Sequence, residues 1–444
     1  MNILLALHGF PPTHSAGAER RTERMARWLS AQGHRVVVFT VERVNDPHQR
    51  VETREQDGFT VHRLYYDIGS GDAFRGFYDN PFIGEALRHI LVRDQFDLVH
   101  IISGYLLGAP AIEVTKELGL PLTITLTEFW FMCSRLNLIQ ITGTLCTGPE
   151  TVTKCARCLL EDKRRYRLPA QNAPAVMDVF WPMSHRIGLT ADTQRAVIER
   201  QNRLKHALEA ADLVICPSEF LITKFQEFGY NTERFIQIRQ GLALRSASEQ
   251  HLRQWRLNGD PIRLTYIGQL KYHKGVDLLI EAVIGLLNAG ENVRLELWGN
   301  ETEAPEYVNR LKLRSAHYPA IHWNGAFTGG KVWDILSETD AVVVPSRWYE
   351  NSPNVILEAF SMRVPVVATN LGGMAELITH ERSGLLFDID DVDGLRFQLR
   401  RLLHDTELLW KLREGIPPVK TIDEEMHETL THYNRLVRSS PERP

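Results

Sequence analysis

Apolar residues fall in short, β-branched runs separated by longer stretches where they recur every three or four positions. Ile3 to Leu7, Arg35 to Val41, Thr60 to Tyr65, Leu98 to Ile102 and Leu122 to Leu126 predict strands, with helices over Glu19 to Gln32 and Ile83 to Val92. The strand runs are continuous rather than alternating, as in a parallel sheet covered on both faces. After a long helical and irregular stretch, Leu213 to Cys216 and Phe235 to Ile238 close this first series. The rhythm restarts at Arg263 to Ile267 and continues through Val276 to Leu287, Arg294 to Trp298, Tyr307 to Arg314, Val332 to Glu338, Ala341 to Val344, Val355 to Phe360 and Val364 to Ala368.

The pattern predicts an α/β protein of two doubly wound parallel-sheet domains, Rossmann-like, facing a central cleft. The first is expected over 1–241, with a Cys-rich and helical insert at about 128–205, and the second over 242–417. Polar, pattern-poor sequence from Gly241 to Pro261 reads as the linker region. In the remaining 418–444, an amphipathic stretch from Ile422 to Val437 is expected to pack back on the first domain, ahead of a loose tail, Ser-Ser-Pro-Glu-Arg-Pro.

The length of 444 residues suits two or three cores, and 43% hydrophobic with 24% charged residues is ordinary globular usage. A formal net charge of −4 argues against a protein that coats nucleic acid. No apolar run reaches the roughly 18 residues of a membrane span, and the opening Met1 to Gly9 lacks the features of a signal peptide, so a cytoplasmic protein is expected. In a reducing compartment the five cysteines are expected as free thiols or metal ligands.

Candidate chemistry concentrates after the run Ala341 to Val344, in Pro345-Ser-Arg-Trp-Tyr-Glu-Asn-Ser-Pro-Asn-Val-Ile-Leu-Glu358. Ser352 suits an N-cap and Pro353 the first helical position, so free amides around Asn354 and Val355 would form an anion site. Glu350 then precedes the helix and Glu358 lies about two turns inside it. Amides on a diphosphate and a carboxylate on each sugar ring would suit a nucleotide sugar. An ordinary helix start with two solvated glutamates fits the same spacing.

Glu350 to Glu358 resembles the E-x7-E signature of glycosyltransferase family 4, retaining enzymes of the GT-B fold, and the likeness extends from Pro11-Pro12 to Gly384-Leu-Leu-Phe387. The resemblance implies that Glu350 contacts the transferred sugar and Glu358 the ribose. It also implies a diphosphate lysine at Lys274, in Tyr266-Ile-Gly-Gln-Leu-Lys-Tyr-His-Lys-Gly-Val276. Where the family has an arginine this chain has Gln269, and Lys271 is the candidate to take over its charge. Gly17, beside Ala16 in place of a first glycine, resembles the family's Gly-Gly loop. Gly372 and Gly373 resemble a donor-site glycine pair. The family's His-Asp pair falls on Thr127-Glu128, which implies an altered sugar contact: a donor other than a glucose-like hexose, or a contact supplied by Glu128. With protein cations and helix amides on the diphosphate, no metal ion is expected to be needed for transfer.

Cys133, Cys146, Cys155 and Cys158 form C-x12-C-x8-C-x2-C, four thiols that suit a closed structural Zn²⁺ site; an iron–sulfur cluster and unligated thiols are the alternatives. Cys216, on a strand run, reads as core. Lys163-Arg-Arg-Tyr-Arg167 and Val179-Phe-Trp-Pro-Met183 suggest peripheral contact with the inner face of the plasma membrane, or a solvated helix face. The expected activity is retaining transfer of a sugar from a nucleoside diphosphate sugar to a hydroxyl of a glycan or lipid-linked glycan in surface polysaccharide synthesis. Nucleotide-sugar epimerase or hydrolase activity, or a non-catalytic zinc-containing scaffold, are the competing readings.

Overall fold

A computed structural model describes residues 1–14, 16–44, 49–67, 73–244 and 260–439. Most of the expected linker, 245–259, and the tail after Ser439 lie outside the described residues. The chain forms two compact units, Met1–Ile238 with Glu425–Pro444, and Arg239–Glu424.

The first unit is built on an eight-stranded sheet. Its strands are β1 (Asn2–His8), β2 (Arg35–Arg43), β3 (Arg50–Gln56), β4 (Phe59–Tyr66), β5 (Leu98–Ile102), β6 (Leu122–Thr125), β7 (Leu213–Cys216) and β8 (Phe235–Gln237). In space they run β3-β4-β2-β1-β5-β6-β7-β8. Strand order reverses direction at β1, whose Leu4 pairs with Val37 of β2 on one side and Val99 of β5 on the other. Crossover helices cover both faces, so Ile3 to Leu7 are fully buried, as their unbroken apolar run requires.

The sheet departs from the expected all-parallel form at one edge. β3 pairs antiparallel with β4, and its sequence, Arg-Val-Glu-Thr-Arg-Glu-Gln, carries no apolar pattern because it is exposed along nearly its whole length. Charges on an outer strand guard the open edge against pairing with other chains.

The second unit is a six-stranded sheet of β9 (Ile262–Ile267), β10 (Val293–Trp298), β11 (Ile321–Gly325), β12 (Ala341–Val344), β13 (Val366–Thr369) and β14 (Gly384–Phe387), in the order β11-β10-β9-β12-β13-β14, all parallel. Successive residues serve opposite faces: Val343, Val367 and Leu385 join one core with helix Val276–Asn288, while Val342, Val344 and Val366 join another with helix Asn354–Ser361. Here the strand order reverses between β9 and β12, so the loops leaving their C-terminal ends flank one crevice of this unit, the ligand position of doubly wound sheets.

The last helix, Ile422–Ser439, is tied to the first unit from Glu425 onward. Arg21 Nε donates to Glu425 Oε1 at 2.7 Å, and both side chains are buried. The fully buried His100 bonds through Nδ1 to the Tyr433 hydroxyl, and its Nε2 lies 2.7 Å from Thr125 Oγ1. Burial, with the nearby Arg21 charge, lowers the His100 pKa to about 3, so this contact is made by a neutral imidazole.

Candidate functional site

In the second unit, the loop after β9 and the loop after β12 meet. Gly275 adopts φ +70°, and a Cβ there would stand 1.8 Å from the Pro345 carbonyl oxygen, so only glycine lets the loops approach this closely. Arg347 locks them together. Its guanidinium grips Asp277 at 2.6 and 2.8 Å, donates to the Tyr272 carbonyl at 3.0 Å, pairs with Asp390 and lies 4.3 Å over the Tyr272 ring. Its backbone N–H donates to the His273 carbonyl at 2.8 Å.

The result is the pair Lys274–Glu350, Nζ to Oε1 2.6 Å, with Ser346 Oγ donating to the same oxygen at 3.0 Å. The ammonium sits 4.4 Å over the Trp348 ring, which stacks edge-on with His273. Burial disfavours the Glu350 carboxylate, but the Lys274 charge and hydrogen bonds from Lys274 and Ser346 outweigh it, holding its pKa below the usual value. Burial and the Lys274 charge lower His273 to about 4, so it is neutral at physiological pH. The crevice therefore offers a fixed ammonium for an anion beside an ionised hydroxyl acceptor.

The helix after this loop starts later than the sequence suggests. It spans Asn354–Ser361, and Pro353 (φ −68°, ψ 120°) occupies the capping position rather than the first turn. Ser352 is therefore not the cap: its hydroxyl is buried and makes no hydrogen bond among the described residues. No side chain caps the helix, and Glu358, half-buried, is its fifth residue, little more than one turn in. Asn354 Oδ1 accepts from Gln240 Nε2. Asn354 and Val355, not Pro353, open the helix.

Two expected donor contacts are placed differently. Gly373 does not offer its amide outward, because that N–H donates to the Glu350 carbonyl at 2.7 Å and a Cβ would stand 1.9 Å from the Asn351 carbonyl oxygen. Gly372, at φ +57°, starts the short helix Gly372–Leu377. Lys271 pairs with Glu303 at 2.9 Å, and Gln269 is exposed, its carbonyl accepting from the Tyr266 hydroxyl at 2.6 Å.

The first unit gathers a separate cluster where its own strand order reverses. Ser103 Oγ, after β5, donates to Glu128 Oε1 at 2.8 Å, and Thr127 Oγ1 donates to Oε2. His8, ending β1, packs edge-on against Tyr105 at 5.0 Å and lies 3.8 Å from Glu19 in the first turn of helix Gly17–Ala31. His8 Nδ1 and Glu19 Oε2 are buried without a hydrogen-bond partner among the described residues. At Gly17 a Cβ would meet no atom within 4 Å, so the helix start is open. Burial, then the His14 charge, lowers His8 to about 4; burial also raises Glu19 and Glu128, Glu128 further through Glu19 and against its two hydrogen bonds.

His8, Glu19, Ser103 and Arg347 were not singled out from the sequence. Each sits at a strand end or in a first helical turn bordering a reversal of strand order, and that position is the signal that could have found them.

A carboxyl group with a raised pKa contributes stability below the ordinary carboxylate range, and this is lost as pH rises toward its folded value. Glu128→Gln keeps the hydrogen-bonding shape without the buried charge. Its melting temperature should exceed that of the wild type at pH 8, by the 2–4 °C that about 1 kcal/mol produces in a domain of this order of size, and match it at pH 4. Scanning calorimetry at both pH values checks this.

Cys133, Cys146, Cys155 and Cys158 line one cavity of about 320 Å³ in the first unit, beside the loop 128–151 and helix Val152–Glu161. Arg200, fully buried and 4.2 Å over the Trp130 ring, shares its wall. Among the described residues, no three His, Cys, Asp or Glu side chains are drawn together as a metal-holding set. Cys216 is buried in the sheet.

With this geometry in place, comparison with known proteins is specific. The Glycosyl transferase 4-like domain matches residues 16–241, and Glycosyl transferases group 1 matches 261–405. The chain belongs to the family 4 glycosyltransferases of GT-B fold.

Among relatives, an uncharacterized glycosyltransferase of Methanocaldococcus jannaschii is 29% identical over 157 residues, 35% of this chain and 38% of that one. A GDP-mannose-dependent alpha-mannosyltransferase of Mycobacterium tuberculosis is 31% identical over 211 residues, 46% of this chain and 51% of that one. The chain thus spans between 38% and 51% of the length of these curated relatives. Among solved structures, sucrose-phosphate synthase from Thermosynechococcus elongatus matches 98% of this chain and 100% of its own at TM-score 0.66 and 18% identity, a likeness of fold.

Proposed function

We propose that this chain transfers a sugar from a nucleoside diphosphate sugar to an acceptor hydroxyl with retention at the anomeric carbon, the acceptor being a glycan or lipid-linked glycan of a surface polysaccharide. The observation that carries the reading is the Lys274–Glu350 pair at the reversal of strand order in the second unit. Lys274 neutralises the diphosphate as the glycosidic bond breaks, and Glu350 accepts from a hydroxyl of the departing sugar. The uncapped amides of Asn354 and Val355 receive phosphate oxygens, and Glu358 the ribose hydroxyls. In the first unit, Glu128 and Thr127 present acceptor oxygens to sugar hydroxyls. The GDP-mannose dependence of one relative makes GDP-mannose an informative donor to try.

The test is a panel of UDP-, GDP- and ADP-sugars assayed for nucleoside diphosphate release with and without acceptor, with the product anomer read by NMR. Acceptor-dependent release and a retained anomer support transfer. Equal release without acceptor identifies a hydrolase, and donor binding without turnover identifies a scaffold.

The cysteine cavity supports a second, structural proposal: Cys133, Cys146, Cys155 and Cys158, which line it, would hold a Zn²⁺ ion that cross-links this part of the first unit. Plasma mass spectrometry of the purified chain should find one zinc per molecule, lost in Cys155→Ser. Metal-free protein that melts identically with and without a chelator contradicts this.

A further inference from the structure

Helix Pro174–Arg186 breaks the usual rule that a surface helix turns polar residues to water. Met177, Trp181 and Ser184 face inward, yet Val176, Val179, Met183 and Ile187 are 61% to 71% exposed. At 100° per residue these four fall within a sector of about 80°, a continuous apolar stripe ending just past the last turn. Leu168 of the preceding helix, Arg164–Asn172, and Leu189 extend the exposed apolar surface. Single exposed apolar residues are ordinary, but a stripe of this kind marks a surface built to meet an apolar phase or partner.

The charges around it identify the partner. Lys163, Arg164, Arg165 and Arg186 are exposed and form no ion pair among the described residues. The basic run is held beside the stripe-bearing helix by its own Tyr166, whose ring lies 5.2 Å from Trp181 and 6.1 Å from Phe180. Nearby acids are already engaged: Asp162 by Arg135 and Arg167, and Asp178 by Arg157. No helix among the described residues is long and apolar enough to cross a membrane, so this surface would lie on a membrane rather than span it.

We propose that the hairpin formed by these two helices docks the first unit onto an anionic lipid bilayer, the stripe entering the acyl boundary and the unpaired cations meeting the headgroups. Cations held near an anionic surface attract it, and the apolar stripe adds the burial that makes contact stable. The proposal rests on the helix surface and stands apart from the sugar-transfer reading.

The experiment is flotation of the full chain with vesicles of equal parts phosphatidylcholine and phosphatidylglycerol, and with phosphatidylcholine alone. The wild type should float with the anionic vesicles and bind neutral ones at least about tenfold more weakly. Val176→Ser/Val179→Ser/Met183→Ser/Ile187→Ser and Lys163→Glu/Arg164→Glu/Arg165→Glu should each lose binding by at least that factor. Both alter only exposed positions, and their near-ultraviolet circular dichroism should match the wild type. Lys274→Ala should float normally, which separates docking from catalysis. Absence of flotation by the wild type, or unchanged flotation of both variants, overturns the proposal. So does a dimer, seen by light scattering without vesicle binding, that the serine variant abolishes; the stripe is then an interface between copies.

Discussion

Lys274→Ala should lower kcat/KM for sugar transfer by about 100-fold or more, the scale of losing one charge-stabilising donor at a developing anion. The loss has two parts that can be separated. Removing the ammonium deprives the diphosphate of its counter-charge and also leaves Glu350 buried beside nothing that offsets its desolvation. The Glu350 carboxyl pKa should then rise, because burial opposes its ionisation and Lys274 is the chief influence in the other direction. The variant should therefore be destabilised at neutral pH, with its residual activity shifted toward alkaline pH. Adding Glu350→Gln should restore the melting temperature without restoring turnover. Recovery of both would show that the pair is structural.

The largest stability effect is expected within the first unit, at Arg21 and Glu425. Both side chains are buried, and they join the first helix to the last across 404 positions of sequence. Arg21→Met removes the cation that faces the buried Glu425 carboxylate and should destabilise the first unit by about 3–5 kcal/mol. Arg21→Met/Glu425→Leu removes both charges and should recover most of that. Chemical denaturation followed by tryptophan fluorescence measures the difference. Equal stability of wild type and Arg21→Met would mean that the remaining contacts, among them His100–Tyr433 and Trp28–His427, hold the last helix without the ion pair.

The strands were legible because each sheet is covered on both faces: Leu98 to Ile102 and Leu213 to Cys216 read directly from their unbroken apolar runs. Arg50–Gln56 left no such trace, since an outer strand needs no apolar face and its charges look like loop sequence. Glu350, Glu358 and Lys274 were visible through their spacing and family resemblance. The capping of the helix between the two glutamates was not, because Ser-Pro permits two starts and only the extended ψ of Pro353 chooses between them.

Arg347 was hidden for a different reason. Its importance lies in Asp277 and Asp390, 70 and 43 positions away, which no local pattern connects to it. The same holds for His8 and Glu19, which acquire meaning only when the pairing of β1 with β5 brings Tyr105 against His8.

The central claim is that the second unit binds a nucleoside diphosphate through the Lys274–Glu350 crevice. Calorimetric titration of UDP, GDP and ADP into the wild type and into Lys274→Ala/Glu350→Gln tests it most directly. At least one nucleotide should bind the wild type, and the double variant, folded and with an unchanged melting temperature, should bind it at least about tenfold more weakly. Equal affinity in the two proteins would contradict the account.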